Sequence, residues 1–197
     1  MKYKINEIFQ SLQGEGHNTG KNVVFVRLSG CDLSCDWCDT KYHVNFTEMT
    51  EKDILEKVEK IRENKSVIIT GGEPTIQNLL PLLEVLKKEG YWIGIETNGN
   101  NLIKAEKEYI DYISMSPKSK TKLKNVDELR VVNDNITVDE LINYENEINA
   151  KYYFISPLDD GEDINYKSTI KLLGEINEVS KKQWRLSLQM HKLSGIV

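Results

Sequence analysis

Cys31, Cys35 and Cys38, in the run GCDLSCDWCDT, are the only cysteines in the chain. Their three-then-two spacing gathers three soft sulfur ligands onto one short loop. A four-iron cluster normally takes one thiolate per iron, so three cysteines leave an iron free to bind something other than protein. Chemistry would take place at that open corner. Two other uses compete. A structural zinc site would need a fourth ligand, which His17, His43 or His191 could supply, although none stands at zinc-finger spacing. Cysteines buried as small apolar side chains would not be confined to eight consecutive positions. An odd count also argues against disulfides.

The elements that must position this loop alternate. After an opening strand over residues 3–9, the apolar run 23–28 (VVFVRL) reads as a buried strand that delivers the chain directly into the cysteines. Thr50 and Asp53 form a capping-box pair, followed by a helix carrying Ile54, Leu55, Val58 and Ile61 on one face. Further strands are expected at 66–70, 93–96, 112–115, 129–132 and 153–155, with a late one at 185–189. Helices are expected from Leu79 to about Gly90, and over 138–148 and 164–180. Strands alternating with helices predict an α/β fold with a mostly parallel sheet. Six core strands in so short a chain predict an open partial barrel instead of a closed eightfold one.

In such folds ligand groups come from the C-terminal ends of strands and the loops that follow. The cysteine loop, Gly71-Gly72-Glu73-Pro74, Glu96-Thr97-Asn98-Gly99, Ser116-Pro117-Lys118 and Ser156-Pro157-Leu158-Asp159 all fall at such ends. Singly, each reads as ordinary loop punctuation. Together they occupy one rim, where paired glycines allow close backbone approach and acidic side chains can accept from amino or hydroxyl groups.

The 197 residues suit one domain spanning the whole chain, with short extensions at either end of the core. A hydrophobic share of 39% and a charged share of 29% describe an ordinary globular protein. The N-terminal MKYKINEIFQ lacks the apolar stretch of a secretory signal, and no run is long enough to span a bilayer, so a cytoplasmic location is expected. The net charge of -5 gives no reason to expect nucleic acid, and Lys118, Lys120, Lys122 and Lys124 read as a solvated loop.

The CxxxCxxC loop after the first core strand, followed by GGEP after the second, resembles the radical S-adenosylmethionine (SAM) enzymes. That resemblance implies a modified, open TIM-like barrel in which the three cysteines hold a [4Fe-4S] cluster and SAM binds the remaining iron. It implies that Gly71, Gly72 and Glu73 line the methionine end, with Glu96, Ser116 and Lys118 toward the ribose and carboxylate. Trp37, Asp39, Pro117, Ser156 and Asp159 are implied as further SAM contacts. Ser156 stands where many relatives carry glutamine.

A narrower resemblance lies in EIFQSLQGEGHNTGKNVVFVRLSGCDLSCDWCDT, which is similar to the 7-carboxy-7-deazaguanine synthase family. It implies that Leu12, Gln13, Gly14 and Arg27 hold 6-carboxy-5,6,7,8-tetrahydropterin, with Glu15 alongside and Thr70 near the ring. Thr40 matches a position that gives a hydroxyl to Mg²⁺, although the residue alone reads as a turn hydroxyl. The C-terminal stretch with His191 and Val197 resembles the segment that closes over the substrate, and a structural histidine is the alternative there. A homodimer and a flavodoxin- or ferredoxin-type electron donor are implied with it. No general acid or base stands out. Two other functions remain to be weighed: an activase of glycyl-radical enzymes, which would not need SLQGEG or Arg27, and a zinc-binding interaction module.

Overall fold

The opening strand β1 (Lys2–Leu12) runs antiparallel to β2 (Asn22–Leu28), and a short β3 (Thr47–Thr50) pairs antiparallel with its other side. From β2 onward neighbouring strands are parallel: β4 (Ser66–Gly71), β5 (Trp92–Thr97), β6 (Tyr112–Met115), β7 (Asn125–Asn133), β8 (Asn149–Pro157) and β9 (Trp184–Leu186). The computed structural model describes residues 1–38, 45–105 and 107–196. Its nine strands form one sheet in the order β3-β1-β2-β4-β5-β6-β7-β8-β9, with β3 and β9 at opposite edges. The sheet is therefore open, as a partial barrel requires.

Strand periodicity decides what each face carries. On one face Val24, Val26, Val67, Ile69, Ile93 and Ile95 pack with Ile54 and Val58 of α1 (Glu51–Ile61) and with Leu82, Leu83 and Leu86 of α2 (Leu80–Lys88). Further along that face Leu129, Val131, Tyr153 and Ile155 meet Leu141 of α3 (Val138–Glu147) and Leu172 and Ile176 of α4 (Tyr166–Val179). The alternate residues turn to the other face, where Val23, Phe25 and Ile68 pack with Phe9 and Trp92 at one end and polar side chains gather toward the strands' C-terminal ends. Register lays them in rows: Arg27 beside Thr70, Glu96 beside Ser114, Ser114 beside Glu128, and Val132 beside Ser156.

Local chemistry sets several of the boundaries. The capping box at Thr50 is present, with Asp53 N donating to Thr50 Oγ1 at 3.3 Å and Thr50 N to Asp53 Oδ2 at 2.8 Å. Two expectations shift, and one α-helix is added. The helix expected from residue 164 begins at Tyr166, because Ile164 bridges to Asp159 instead. The strand expected at 185–189 is Trp184–Leu186, where the buried Trp184 pairs with Tyr153. Gln189 then caps a short helix, α5 (Met190–Ser194), that the sequence reading did not include. Among the described residues no α-helix separates β5 from β6 or β6 from β7. No described helix is long and apolar enough to cross a membrane.

Tyr3 anchors β1 to α2. Its ring is fully buried and its hydroxyl accepts from Leu82 N at 3.2 Å, while burial pushes the phenol up to about 12. Tyr3→Phe keeps the ring but removes that acceptor. An equilibrium urea titration should show a loss of about 1 kcal/mol, the usual net worth of one buried hydrogen bond.

Candidate active site

The chain leaves β2 and turns at once into the cysteines, pressed against the loop that follows β4. Glu73 N donates to Gly30 O at 2.9 Å and Gly72 N to Leu28 O at 3.2 Å. This approach is why residue 72 is glycine: a Cβ there would lie 2.3 Å from Gly30 O and 2.9 Å from Cys31 Cβ. Glu73 itself is completely buried. Its carboxylate accepts from Asn98 N at 2.6 Å, Thr97 Oγ1 at 2.8 Å, Thr75 N at 3.0 Å and Thr75 Oγ1 at 2.5 Å. Asn98 Nδ2 and Asn101 Nδ2 in turn donate to Asp32 at 2.8 and 2.9 Å. A closed chain of bonds thus joins the cysteine loop to the loops after β4 and β5.

The three cysteines line a cavity of about 250 Å³ together with Gly71, Gly72 and Trp37. Burial pushes the Cys31 thiol up, with a partial offset from Leu33 N–H at 3.4 Å. Burial likewise raises the Cys35 thiol, and the Lys118 ammonium opposes that rise. Ser116, Lys118, Ser156 and Asp159 complete the far wall. Lys118 Nζ donates to Ser116 Oγ at 2.5 Å and stands over the Trp37 ring at 5.1 Å from its centroid. Among the described residues Ser156 Oγ, which is buried, has no hydrogen-bond partner. Pro117 lines a neighbouring groove with Trp37 and Asp134, outside this cavity.

A second cavity, of about 460 Å³, adjoins the first and shares Glu15, Gly71, Gln189 and Lys192 with it. Leu12, Gln13, Gly14, Arg27, Thr70 and His191 all border it. Arg27 Nε donates to Glu7 Oε1 at 2.8 Å, which engages one edge of the guanidinium and leaves its terminal nitrogens for a ligand. Glu96 also lies here and not in the wall of the first cavity, accepting from Gln13 Nε2 and Thr70 Oγ1, each at 2.9 Å. α5 forms the cover: Met190 N donates to Gly14 O at 2.9 Å, and Lys192 Nζ to Asp159 Oδ2 at 2.7 Å. The Lys192 contact is the first reason, ahead of the Gly161 N–H, that the Asp159 carboxyl sits below its ordinary range. Asp39, Thr40 and Val197 lie outside the described residues.

The Radical SAM superfamily matches residues 25–172. A 7-carboxy-7-deazaguanine synthase of Haemophilus influenzae is 46% identical over 98% of this chain and 94% of its own. The chain belongs to the 7-carboxy-7-deazaguanine synthase family. A synthase of Neisseria meningitidis is 42% identical, covering 99% of this chain and 94% of that one. The crystal structure of QueE from Escherichia coli superposes with a TM-score of 0.74 at 27% identity, covering 97% of this chain and 95% of that one.

Membership makes this chain a radical SAM lyase, and the superfamily's cofactors are SAM and a [4Fe-4S] cluster. The residues present fit such a synthase. All three cysteines line one cavity and are by type the donor set of a cluster with one open iron, although among the described residues no three His, Cys, Asp or Glu side chains converge on a single-ion site. Ser156 Oγ, buried and unpartnered beside them, is the kind of orphan a ligand satisfies. The sequence reading set Asn98 on the rim without giving it a role, and missed Glu128, Arg130, Asp32, Gln189 and Lys192. A signal for two of them was there: in DELRVVN, charges at 128 and 130 alternate with apolar Leu129 and Val131, which is unusual for a strand covered on both faces.

Proposed function

We propose that the chain converts 6-carboxy-5,6,7,8-tetrahydropterin to 7-carboxy-7-deazaguanine with loss of ammonia. The observation that carries this reading is the pair of adjoining cavities, one bordered by the three cysteines and the other by Arg27, Gln13, Glu15 and Glu96. Cys31, Cys35 and Cys38 would hold the cluster. Gly71, Gly72, Ser116, Lys118, Ser156 and Asp159 would hold SAM beside it. When bound, these groups supply a 5′-deoxyadenosyl radical able to take hydrogen from C6 of the pterin. Arg27 would grip the substrate carboxylate with its planar fork, while Gln13, Glu15 and Glu96 would face the N–H edge of the ring. α5 would exclude water from the reacting centre. Ring contraction of the substrate radical, return of a hydrogen atom from 5′-deoxyadenosine and expulsion of ammonia would complete the conversion.

Mg²⁺, with Thr40 among its ligands, would orient the carboxylate and stabilise charge during rearrangement. A homodimer and a flavodoxin- or ferredoxin-type reductant belong to the same proposal. The test is anaerobic incubation of reduced, reconstituted protein with SAM, Mg²⁺ and the carboxytetrahydropterin, with and without the metal. Product carrying the deazapurine spectrum is expected, with a slower rate when Mg²⁺ is omitted. If 5′-deoxyadenosine accumulates while the pterin is untouched, the substrate assignment fails. Arg27→Ala should raise KM by about tenfold or more, the worth of a charge-assisted bidentate contact, and spare cluster colour. An unchanged KM would remove Arg27 from the substrate site.

A further inference from the structure

One guanidinium stands inside the polar face of the sheet, surrounded by carboxylates. The Arg130 side chain is only 8% exposed, and its Nη2 lies 3.2 Å from Glu15 Oε2 and 3.3 Å from Glu96 Oε1. Nη1 is 3.4 Å from Glu128 Oε1 but has no hydrogen-bond acceptor. The three acids differ in what else they do. Glu128 is 1% exposed and its oxygens also accept from Tyr112 Oη and Ser114 Oγ at 2.8 Å and from His17 N at 2.7 Å. It is an internal anchor that pins the turn after Glu15 into the barrel. Gly16 belongs to this turn with a φ of +68°, and a Cβ there would lie 2.2 Å from Glu128 Oε1. Glu15 and Glu96, by contrast, border the second cavity, while Arg130 behind them reaches the wall of the first, which Glu15 also lines.

We propose that Arg130 is a positioning residue: it fixes Glu15 and Glu96 as paired acceptors on the wall of the second cavity, so that recognition of a ligand's N–H edge depends on it. The inference rests on the substrate reading above. Three carboxylates around one guanidinium leave an excess of negative charge in a buried place, which ordinarily drives a carboxyl to hold its proton. Burial does push Glu96 that way, but Arg130, with the hydrogen bonds from Gln13 and Thr70, outweighs it and holds the carboxyl below its ordinary range. A 2-amino-4-oxopyrimidine edge offers adjacent N–H donors, and only an ionised, fixed carboxylate can accept from both. Arg27 supplies donors for the acidic end of the same ligand.

The sign of the pH effect follows. Glu96 sits below its ordinary value, so it is ionised throughout the neutral range and substrate affinity gains nothing from deprotonating it there. Lysine at 130 cannot span three carboxylates, which leaves burial less opposed and raises Glu96; affinity then falls as pH drops through the raised value. Gln13 and Glu15 from the β1–β2 turn, Glu7 from β1, Arg27 from β2, Thr70 from β4, Glu128 from β7, and His191 and Lys192 from α5 also face the cavity or the cluster of acids.

The experiment measures equilibrium binding of 6-carboxytetrahydropterin and of SAM, separately and without reductant, to cluster-loaded wild type and Arg130→Lys between pH 6 and 8. The variant should bind the pterin about tenfold or more weakly, with the ratio growing toward pH 6, while SAM, whose cavity Arg130 also touches, loses less affinity and shows no such trend with pH. Equal loss of both ligands, or an unchanged pterin Kd with a flat ratio, would overturn the assignment. Wild type that fails to bind the pterin defeats the substrate reading and this inference with it. Should Arg130→Lys not fold, ¹³C NMR of glutamate-labelled wild type decides, with Glu15 and Glu96 identified by their Gln variants. The Glu96 carboxyl should stay ionised across the neutral range, and its titration between pH 6 and 8 would refute the proposal.

Discussion

Cys35→Ala should yield a colourless protein that neither cleaves SAM nor forms product, with turnover below about one-thousandth of wild type. The reason lies in the count. Among 197 residues there are three cysteines and no spare, and all three border one cavity. A cluster that already leaves one iron for SAM loses a second protein ligand with this change, and it would have no thiolate nearby to replace it. Burial raises the Cys35 thiol, and the Lys118 ammonium partly offsets that rise, so the lysine works toward the thiolate that ligation needs. The visible spectrum after anaerobic reconstitution and the yield of 5′-deoxyadenosine measure the two effects independently. Retention of a brown chromophore together with SAM cleavage would show that Cys35 is not a cluster ligand.

This loop could be found without coordinates because its chemistry is contiguous in the chain, and the same holds for GGEP at the end of the next strand. The capping box at Thr50 and Asp53 was legible for a similar reason, being a local exchange of hydrogen bonds. What escaped depends on pairing between distant strands. β3 is a four-residue edge strand with no buried residue, so it carries no apolar pattern to read. α5 is five residues long with Met190 and Leu193 exposed, too short for helical periodicity to register. Arg130 reaches Glu15 and Glu96 only because register sets β5, β6 and β7 side by side and the β1–β2 turn folds in above them. No spacing within a single segment announces that contact.

Glu73 shows the same limit from the other side, because the sequence displays the residue but not the direction its carboxylate takes. Its motif position implies a place at the methionine end of SAM, yet both carboxylate oxygens already accept bonds within the protein. The bonds from Thr75, Thr97 and Asn98 join the loop after β4 to the loop after β5, and Asn98 carries the connection on to Asp32 beside Cys31. Glu73→Ala would leave Asn98 N–H without its acceptor in a buried place, and both threonine hydroxyls would lose theirs. The expected loss is about 3–5 kcal/mol, comparable with the whole stability of many domains. The protein should therefore lose cluster along with its folded population. Glu73→Gln tests the direction of the carboxylate more finely, since it keeps the shape but turns one acceptor into a donor facing Asn98 N–H or Thr75 N–H. Thermal unfolding should move down clearly, while the folded, cluster-loaded fraction should bind SAM within about threefold of wild type. A Gln variant as stable as wild type but with SAM affinity reduced more than about tenfold would reverse the argument. Glu73 would then be a cofactor ligand first, and the bond chain through Asn98 would be incidental to holding the cysteine loop.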